Sequence, residues 1–167
     1  EKMIKAYEIV KQNIEANLTI VGGFYDSKLE KWAKEYDLKN NLNIKWKGWI
    51  KYTDLAPLFS EADIGLCILQ DSDRYKKAIA TKIFEYLIMG LPVITSKGHM
   101  SDKLIQRSEC GISVDSSDEN KIAQGILKLL SKKSLKKMAE STKKISRNKY
   151  VWERREEKII KAINNLI

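Results

Sequence analysis

The chain has 167 residues, of which 43% are hydrophobic and 32% charged, with a formal net charge of +9. These values fit one globular domain with a substantial core and exclude a disordered chain; no apolar run approaches the ~20 residues of a membrane span, and the first residues lack the pattern of a signal peptide. The charge is uneven, because residues 131–167 hold 12 Lys or Arg against 4 Glu while the rest is almost neutral.

Taken in chain order, the periodicity alternates helix and strand. A helix is predicted over 2–14, where Ile4, Tyr7, Ile9, Val10 and Ile14 recur at helical spacing. A crossover helix needs a strand before it, so a first strand is expected upstream of residue 1. The apolar run at 18–21 reads as a strand with a sharp exit at Gly22-Gly23, and a helix follows over 27–36. Residues 43–46 form the next strand, ended by Gly48, after which Thr53-Asp54 caps a short helix through Ser60. The run 64–69 is a buried strand by length and β-branching, 70–80 a polar loop, and Thr81 begins a helix that stops at Gly90. A strand at 92–96, a short helix near 101–108 and a strand at 111–114 come next. Beyond Ser117 the pattern is helical, in three segments starting near Asp118, Ser134 and Tyr150. Short buried runs alternating with amphipathic helices predict an α/β fold, a doubly wound parallel sheet with a helical C-terminal tail over about 134–167, and one domain over 1–167. Ligands of such sheets sit outside the carboxyl ends of the strands, which directs attention to the loops at 22–26, 48–53, 69–81 and 96–101.

The helix after Thr81 carries the chemistry. Ile83, Phe84, Tyr86, Leu87, Ile88 and Met89 surround it, which predicts a helix buried on most sides, and Glu85 is the one acid within that run. A buried carboxylate costs several kcal/mol unless something compensates it. A capping box needs an acid three residues after the cap, where Phe84 stands. Glu85 is therefore either a solvated acid at the helix edge or a carboxylate that accepts hydrogen bonds from two neighbouring ligand hydroxyls, as carboxylates do with ribose. Thr81 and Lys82 stand at the helix start, where free N–H groups and the helix dipole favour an anion. A phosphate held there lies about one turn from Glu85, a separation that suits ribose and diphosphate in one nucleotide sugar. Lys82 is equally readable as a solvated first-turn lysine.

With its Thr81-Lys82-Ile83-Phe84-Glu85-Tyr86 run and the Gly90, Pro92, Val93 and Ile94 that follow, the segment resembles the signature region of the large retaining glycosyltransferase family called group 1, or family 4, of the GT-B fold. Supporting pieces fall in family order: 18–23, 44–50, 55–69, 110–114 and a final Tyr150-Val151-Trp152-Glu153. The resemblance implies a Rossmann-like domain, the nucleotide-sugar-binding C-terminal half of a two-domain enzyme whose N-terminal half binds the acceptor. It implies Glu85 on the ribose, Thr81 and Lys82 at the diphosphate, and Trp49 and Ile50 beside the base, although Trp49 also reads as a half-exposed packing residue. It implies hexosyl transfer with retention, from a nucleotide diphosphate sugar (a UDP-sugar is favoured) to a lipid-linked or polysaccharide acceptor in cell-surface polysaccharide or glycolipid synthesis, with no cofactor and no bound metal. The isolated fragment is expected to be inactive. Two departures stand out: eight residues before Glu85, where the family pattern has a second glutamate, this chain has Lys77, with Asp71 and Asp73 as substitutes nearby, and the Arg and Lys with which the family clamps the diphosphate are expected upstream of residue 1.

Other constellations are poor. His99, the single histidine, lies in a Gly-His-Met loop with no partners for a nucleophilic triad, and no dinucleotide fingerprint, P-loop or metal cluster emerges. Cys67 and Cys110 read as buried thiols in a reducing cytoplasm. Two other readings of the chain are a non-catalytic doubly wound regulatory module, which leaves Glu85 without a reason, and a basic nucleic-acid binder. The basic tail reads as a solvated helix face, a nucleic-acid contact, or an attraction to an anionic membrane that bears a lipid-linked acceptor, which would put the protein on the inner face of the membrane. Within the tail, Ile159, Ile160, Ile163 and Leu166 read as packing against the acceptor-binding domain.

Overall fold

The computed structural model describes residues 1–146, 156, 160, 161 and 163–165. Its strands form two parallel blocks: β1 (Thr19–Val21) beside β2 (Lys45–Gly48), and β3 (Gly65–Cys67), β4 (Val93–Ser96) and β5 (Gly111–Val114) in that order. The helices are α1 (Lys2–Asn13), α2 (Ser27–Lys39), α3 (Leu55–Ser60, entered through a tight turn at Tyr52–Asp54), α4 (Asp73–Lys76), α5 (Thr81–Ile88), α6 (Met100–Ser108), α7 (Glu119–Leu130) and α8 (Lys132–Ile145). Each parallel pair is joined through helix, as parallel strands require. The doubly wound α/β architecture expected from the sequence is present.

Local chemistry explains where the elements begin. Asp26 caps α2 by accepting from the N–H groups of Lys28 and Leu29, and Asp118 caps α7 by accepting from those of Asn120 and Lys121. Each such cap stabilises its helix by about 1 kcal/mol. β4 has a strand on each side and all four of its residues are buried, which is where a Val-Ile-Thr run is most at home.

Three apolar clusters hold the layers. One joins Ala6 and Val10 of α1 to Ile94, Val114 and the Ile122, Ala123, Ile126 and Leu129 face of α7. A second sets Ile4 and Tyr7 of α1 over Leu18, Ala33, Leu42 and Ile44. The third sits under α5 and α6 and contains Cys67, Ile83, Leu87, Val93, Ile105 and Cys110. α1 and Leu66 belong to the first two clusters together, so they tie the strand blocks to one another. No strand pairing joins β1 to β3 among the described residues, and both outer residues of β1 are exposed.

Several boundaries differ from the sequence reading. The strand expected at 43–46 lies at Lys45–Gly48, because Asn41 and Asn43 take left-handed backbone and carry the chain through a turn first. The strand expected over 64–69 is only three residues long. The 70–80 loop contains α4, capped by the Ser72 hydroxyl. Asp54 precedes α3 without a side-chain cap, because its carboxylate accepts from the Thr53 hydroxyl instead. The helix expected from Ser134 starts at Lys132. The segment expected from Tyr150 begins outside the described residues, as do Ile159 and Leu166; Ile160 and Ile163 are about half exposed.

Candidate functional site

α5 buries a single face. Ile83 and Leu87 are fully enclosed, Phe84 and Tyr86 are partly covered, and Ile88 and Met89 reach solvent, with Ile88 49% exposed. The sequence expectation of a helix buried on most sides is thus corrected: eight residues make little more than two turns, and the side with Ile83, Tyr86 and Leu87 turns to the sheet. Glu85 lies on the flank between the faces and is half-buried. Among the described residues its carboxylate has no hydrogen-bond or ion-pair partner.

The N-terminus of α5 is open. Its cap residue, Ala80, has no side chain able to accept, no acid lies in the first turn, and Thr81 and Lys82 are exposed. Ile83 N–H turns back to the Ala80 carbonyl at 3.0 Å, while the N–H groups of Thr81 and Lys82 find no acceptor among the described residues. This contrasts with α2 and α7, where an aspartate occupies the same place. Two N–H groups without an acceptor, the positive end of the dipole and the nearby Lys82 make the start of α5 a candidate place for anionic oxygen. Glu85 follows Lys82 by three residues, so the carboxylate and the uncapped helix start share one stretch of helix.

The helix is held from below by a close approach. Tyr86 lays its ring directly on the backbone of Gly65, where a Cβ would collide with ring atoms Cγ and Cδ2. The Tyr86 hydroxyl donates to the Leu66 carbonyl at 3.3 Å, and Phe59 meets the ring edge-on at 5.7 Å between centroids. Burial, with the negative charges of Cys67 and Glu85 adding to it, pushes the Tyr86 phenol up to about 12. The Cys67 thiol is likewise raised by burial, against a smaller opposing effect of Lys82.

The loop into α5 is also pinned. Ser96, at the end of β4, accepts from the Leu69 N–H and donates to the Leu69 carbonyl, each at 2.9 Å, fixing the point where the chain leaves β3. Beyond it, Lys76 pairs with Asp71 at 2.7 Å. Asp71 is thus engaged by a neighbour rather than free; Lys77, at the end of α4, and Asp73, in its first turn, are both exposed.

Trp49 and Ile50 stand at the exit of β2. Gly22 (φ +116°) and Gly48 (φ +61°) take backbone that side chains rarely adopt, and Gly22 N–H donates to the Gly48 carbonyl at 2.7 Å, so the exits of β1 and β2 turn together. The Trp49 indole rests on Gly23, where a Cβ would meet its Nε1 edge. It is nonetheless 77% exposed, as a flat aromatic shelf. The structure therefore gathers the sequence candidates into two groups, Thr81, Lys82 and Glu85 on α5, and Trp49 and Ile50 on the β1–β2 exits. No hydrogen bond or ring contact links the groups among the described residues.

Sequence reasoning missed Ser96, Gly65 and Tyr86, whose roles depend on partners 20 or more residues away. It also passed over Tyr25 and Tyr52, which are exposed after the exits of β1 and β2; a tyrosine within four residues of the glycine at each strand exit was the usable signal. His99 is buried at the start of α6, with Nδ1 unpartnered among the described residues. Asp102, in the first turn of α6, accepts from Gly98 N–H at 2.9 Å and from Gln106 at 2.6 Å, while the cap residue His99 makes no side-chain cap hydrogen bond. Among the described residues no cluster of His, Cys, Asp or Glu is placed to hold a metal, and no helix is long and apolar enough to cross a membrane.

Comparison with known proteins gives a consistent picture. The family model described as glycosyl transferases group 1 matches residues 1–150. No curated protein matches in sequence. WaaG, a glycosyltransferase involved in lipopolysaccharide biosynthesis, is similar in structure, with a TM-score of 0.72 at 20% identity over 93% of this chain and 41% of its own. The sucrose-phosphate synthase of Thermosynechococcus elongatus gives 0.74 at 20% identity over 99% of this chain and 42% of its own. HepE of Anabaena, solved in complex with UDP, gives 0.78 at 16% identity over 98% and 44%. The chain spans less than half the length of each of these three structures.

Proposed function

The chain belongs to the group 1 family of glycosyl transferases, and on that premise we propose that it is the donor-binding domain of a retaining enzyme of the family-4 kind, one that uses a nucleotide diphosphate sugar. The observation that carries the reading is the start of α5, uncapped and free of acid, with a half-buried, unpartnered Glu85 one turn further on. In this reading the diphosphate sits against the N–H groups of Thr81 and Lys82 with the Lys82 ammonium beside it. Glu85 accepts from the two ribose hydroxyls, and Trp49 and Ile50 receive the base. A UDP-sugar is the favoured donor, a choice supported by the UDP held by the HepE neighbour.

The chemical contribution of this half is to stabilise the leaving group. As the bond from the sugar's anomeric carbon to the phosphate oxygen breaks, negative charge grows on the diphosphate, and fixed dipoles at a helix N-terminus need not reorganise to meet it. Removing one such donor in other enzymes costs about 3–4 kcal/mol of transition-state stabilisation. The acceptor hydroxyl, on a lipid-linked or polysaccharide chain of the cell surface, is positioned by the acceptor-binding N-terminal domain of the parent enzyme, so this chain alone binds nucleotide and turns over little or nothing. Lys77 stands where the family pattern has a glutamate, and Asp71 is held by Lys76, so donor-sugar contacts differ from that pattern here. Free, buried Cys67 and Cys110 suit a reducing cytoplasm.

The test is calorimetric titration of the chain with UDP, GDP and ADP, beside Glu85→Ala. A carboxylate's hydrogen bonds contribute about 1.5–3 kcal/mol each, so losing two weakens binding by at least tenfold. Saturable binding of one nucleotide, lost in a folded Glu85→Ala, supports the proposal. Equal binding by the variant removes Glu85 from the site, and silence from both this chain and its full-length parent removes the donor site altogether.

A further inference from the structure

The outer face of α8 has no role in donor binding. Lys132, Lys133, Lys136, Lys137, Lys143 and Lys144 all lie on it, every one exposed. At ~100° per residue they fall within an arc of about 140°. Glu140 is the one acid in that arc. The opposite side of the helix, with Leu135, Met138, Thr142 and Ile145, is turned to the body of the protein, where α8 packs against α5, α6 and α7. Two of the lysines have local work: Lys137 pairs with Glu109 at 3.3 Å, and the Lys143 stem lies over Gly90, 3.1 Å from where a Cβ would stand. Lys132, Lys133, Lys136 and Lys144 have no ion-pair partner among the described residues.

We propose that this face docks the protein onto an anionic lipid surface. The chemistry of the face selects that occupant. Protein interfaces are depleted in lysine and organised around buried aromatic or arginine anchors, and no large apolar side chain is exposed along α8. Single-stranded nucleic-acid sites add aromatic stacking platforms to a basic groove and base readout favours arginine forks, and the face offers neither. What it offers is a row of flexible ammonium groups about 18 Å long on a convex surface, which matches several phosphate headgroups spread in a plane and is the pattern of polybasic lipid recognition. The apolar side of α8 is already buried in the protein, so attachment is electrostatic, without insertion. The inference goes beyond the donor reading and stands independently of it.

The experiment is co-sedimentation of the 167-residue chain with vesicles of phosphatidylcholine alone, or of equal parts phosphatidylcholine and phosphatidylglycerol, at low and high salt. A Lys132→Gln, Lys133→Gln, Lys136→Gln, Lys144→Gln variant is run in parallel. The expected result is binding to the anionic vesicles only, released by salt and weakened roughly fivefold per lysine, hence ~600-fold in the variant. Thermal unfolding of the variant should match the parent chain, because all four side chains are exposed. Equal binding to both vesicle types, or undiminished binding by the variant, overturns the proposal. Tighter binding to a DNA or RNA duplex than to the anionic vesicles, at matched phosphate concentration, also overturns it and assigns the face to nucleic acid. Nucleotide titration of the variant separates this failure from failure of the donor site, which the four substitutions leave untouched.

Discussion

Gly65→Ala is the smallest change that tests how the candidate site is supported. A single methyl group at Gly65 enters the space of the Tyr86 ring, closest to Cγ and Cδ2, and these atoms belong to a rigid ring rather than to the tip of a flexible chain. If β3 and α5 separate to admit it, overpacking costs about 1–3 kcal/mol. If the ring is expelled instead, the hydroxyl bond to Leu66 and the edge contact with Phe59 are lost, each worth about 1 kcal/mol, together with the ring's burial. The cheaper route sets the outcome, so the predicted loss is about 1–3 kcal/mol, a sizeable part of the ~5–15 kcal/mol that holds a domain folded. The assay is urea unfolding of a double-mutant cycle with Tyr86→Ala, comparing midpoints at constant slope. With the ring already gone, Gly65→Ala should cost less than ~0.5 kcal/mol, so the coupling energy is at least ~0.5 kcal/mol. An equal cost of Gly65→Ala in both backgrounds would refute the claim that the glycine exists to seat the tyrosine under α5.

Three further outcomes are expected. Leu87→Ala, at a fully buried position in the cluster with Ile83 and Val93, should lose about 2–5 kcal/mol, and Ile88→Ala, half exposed one residue later, less than ~1 kcal/mol; comparable losses in chemical denaturation would mean that the face of α5 is misassigned. Asp118→Ala removes the acceptor for the N–H groups of Asn120 and Lys121 and should lower stability by about 1 kcal/mol, with Asp118→Asn retaining most of it. The Tyr86 phenol sits at about 12 in the folded chain against an ordinary value of 10.0, so the folded state keeps the proton longer. Its stabilisation is therefore fully present below pH ~10 and lost as the pH rises towards ~12, a swing of up to about 2–3 kcal/mol that thermal unfolding should show in the parent chain and find flattened in Tyr86→Phe.

The sequence was most legible where one residue acts on its neighbours. Helix starts at Asp118 and near Ser27, the stop at Gly90 and the strand at Gly111–Val114 follow from caps, glycines and periodicity, and the structure has them within a few residues. Legibility failed where distant partners decide. Strand β2 slid by two residues because left-handed Asn41 and Asn43 prolong a turn that composition alone does not announce. The apolar run around Glu85 suggested burial on most sides, yet only the side with Ile83, Tyr86 and Leu87 meets the sheet, and Ile88 and Met89 are exposed. The short buried strand β3 gave no hint that its glycine was shaped by Tyr86 or that Ser96 would clasp Leu69. In the candidate site, Glu85, Thr81 and Lys82 were readable because they share one helix. The Trp49 shelf on Gly23 needed two strand exits brought together by the fold.

The central claim is that a nucleotide diphosphate lies with its phosphates on the start of α5 and its base at Trp49. It is tested most directly by following amide and indole resonances of the chain during titration with UDP. The account predicts saturable shifts concentrated at the Thr81, Lys82 and Ile83 amides and at the Trp49 indole N–H, all with one dissociation constant. Shifts that saturate elsewhere, at the start of α6 for instance, while α5 and Trp49 stay unmoved, would contradict it.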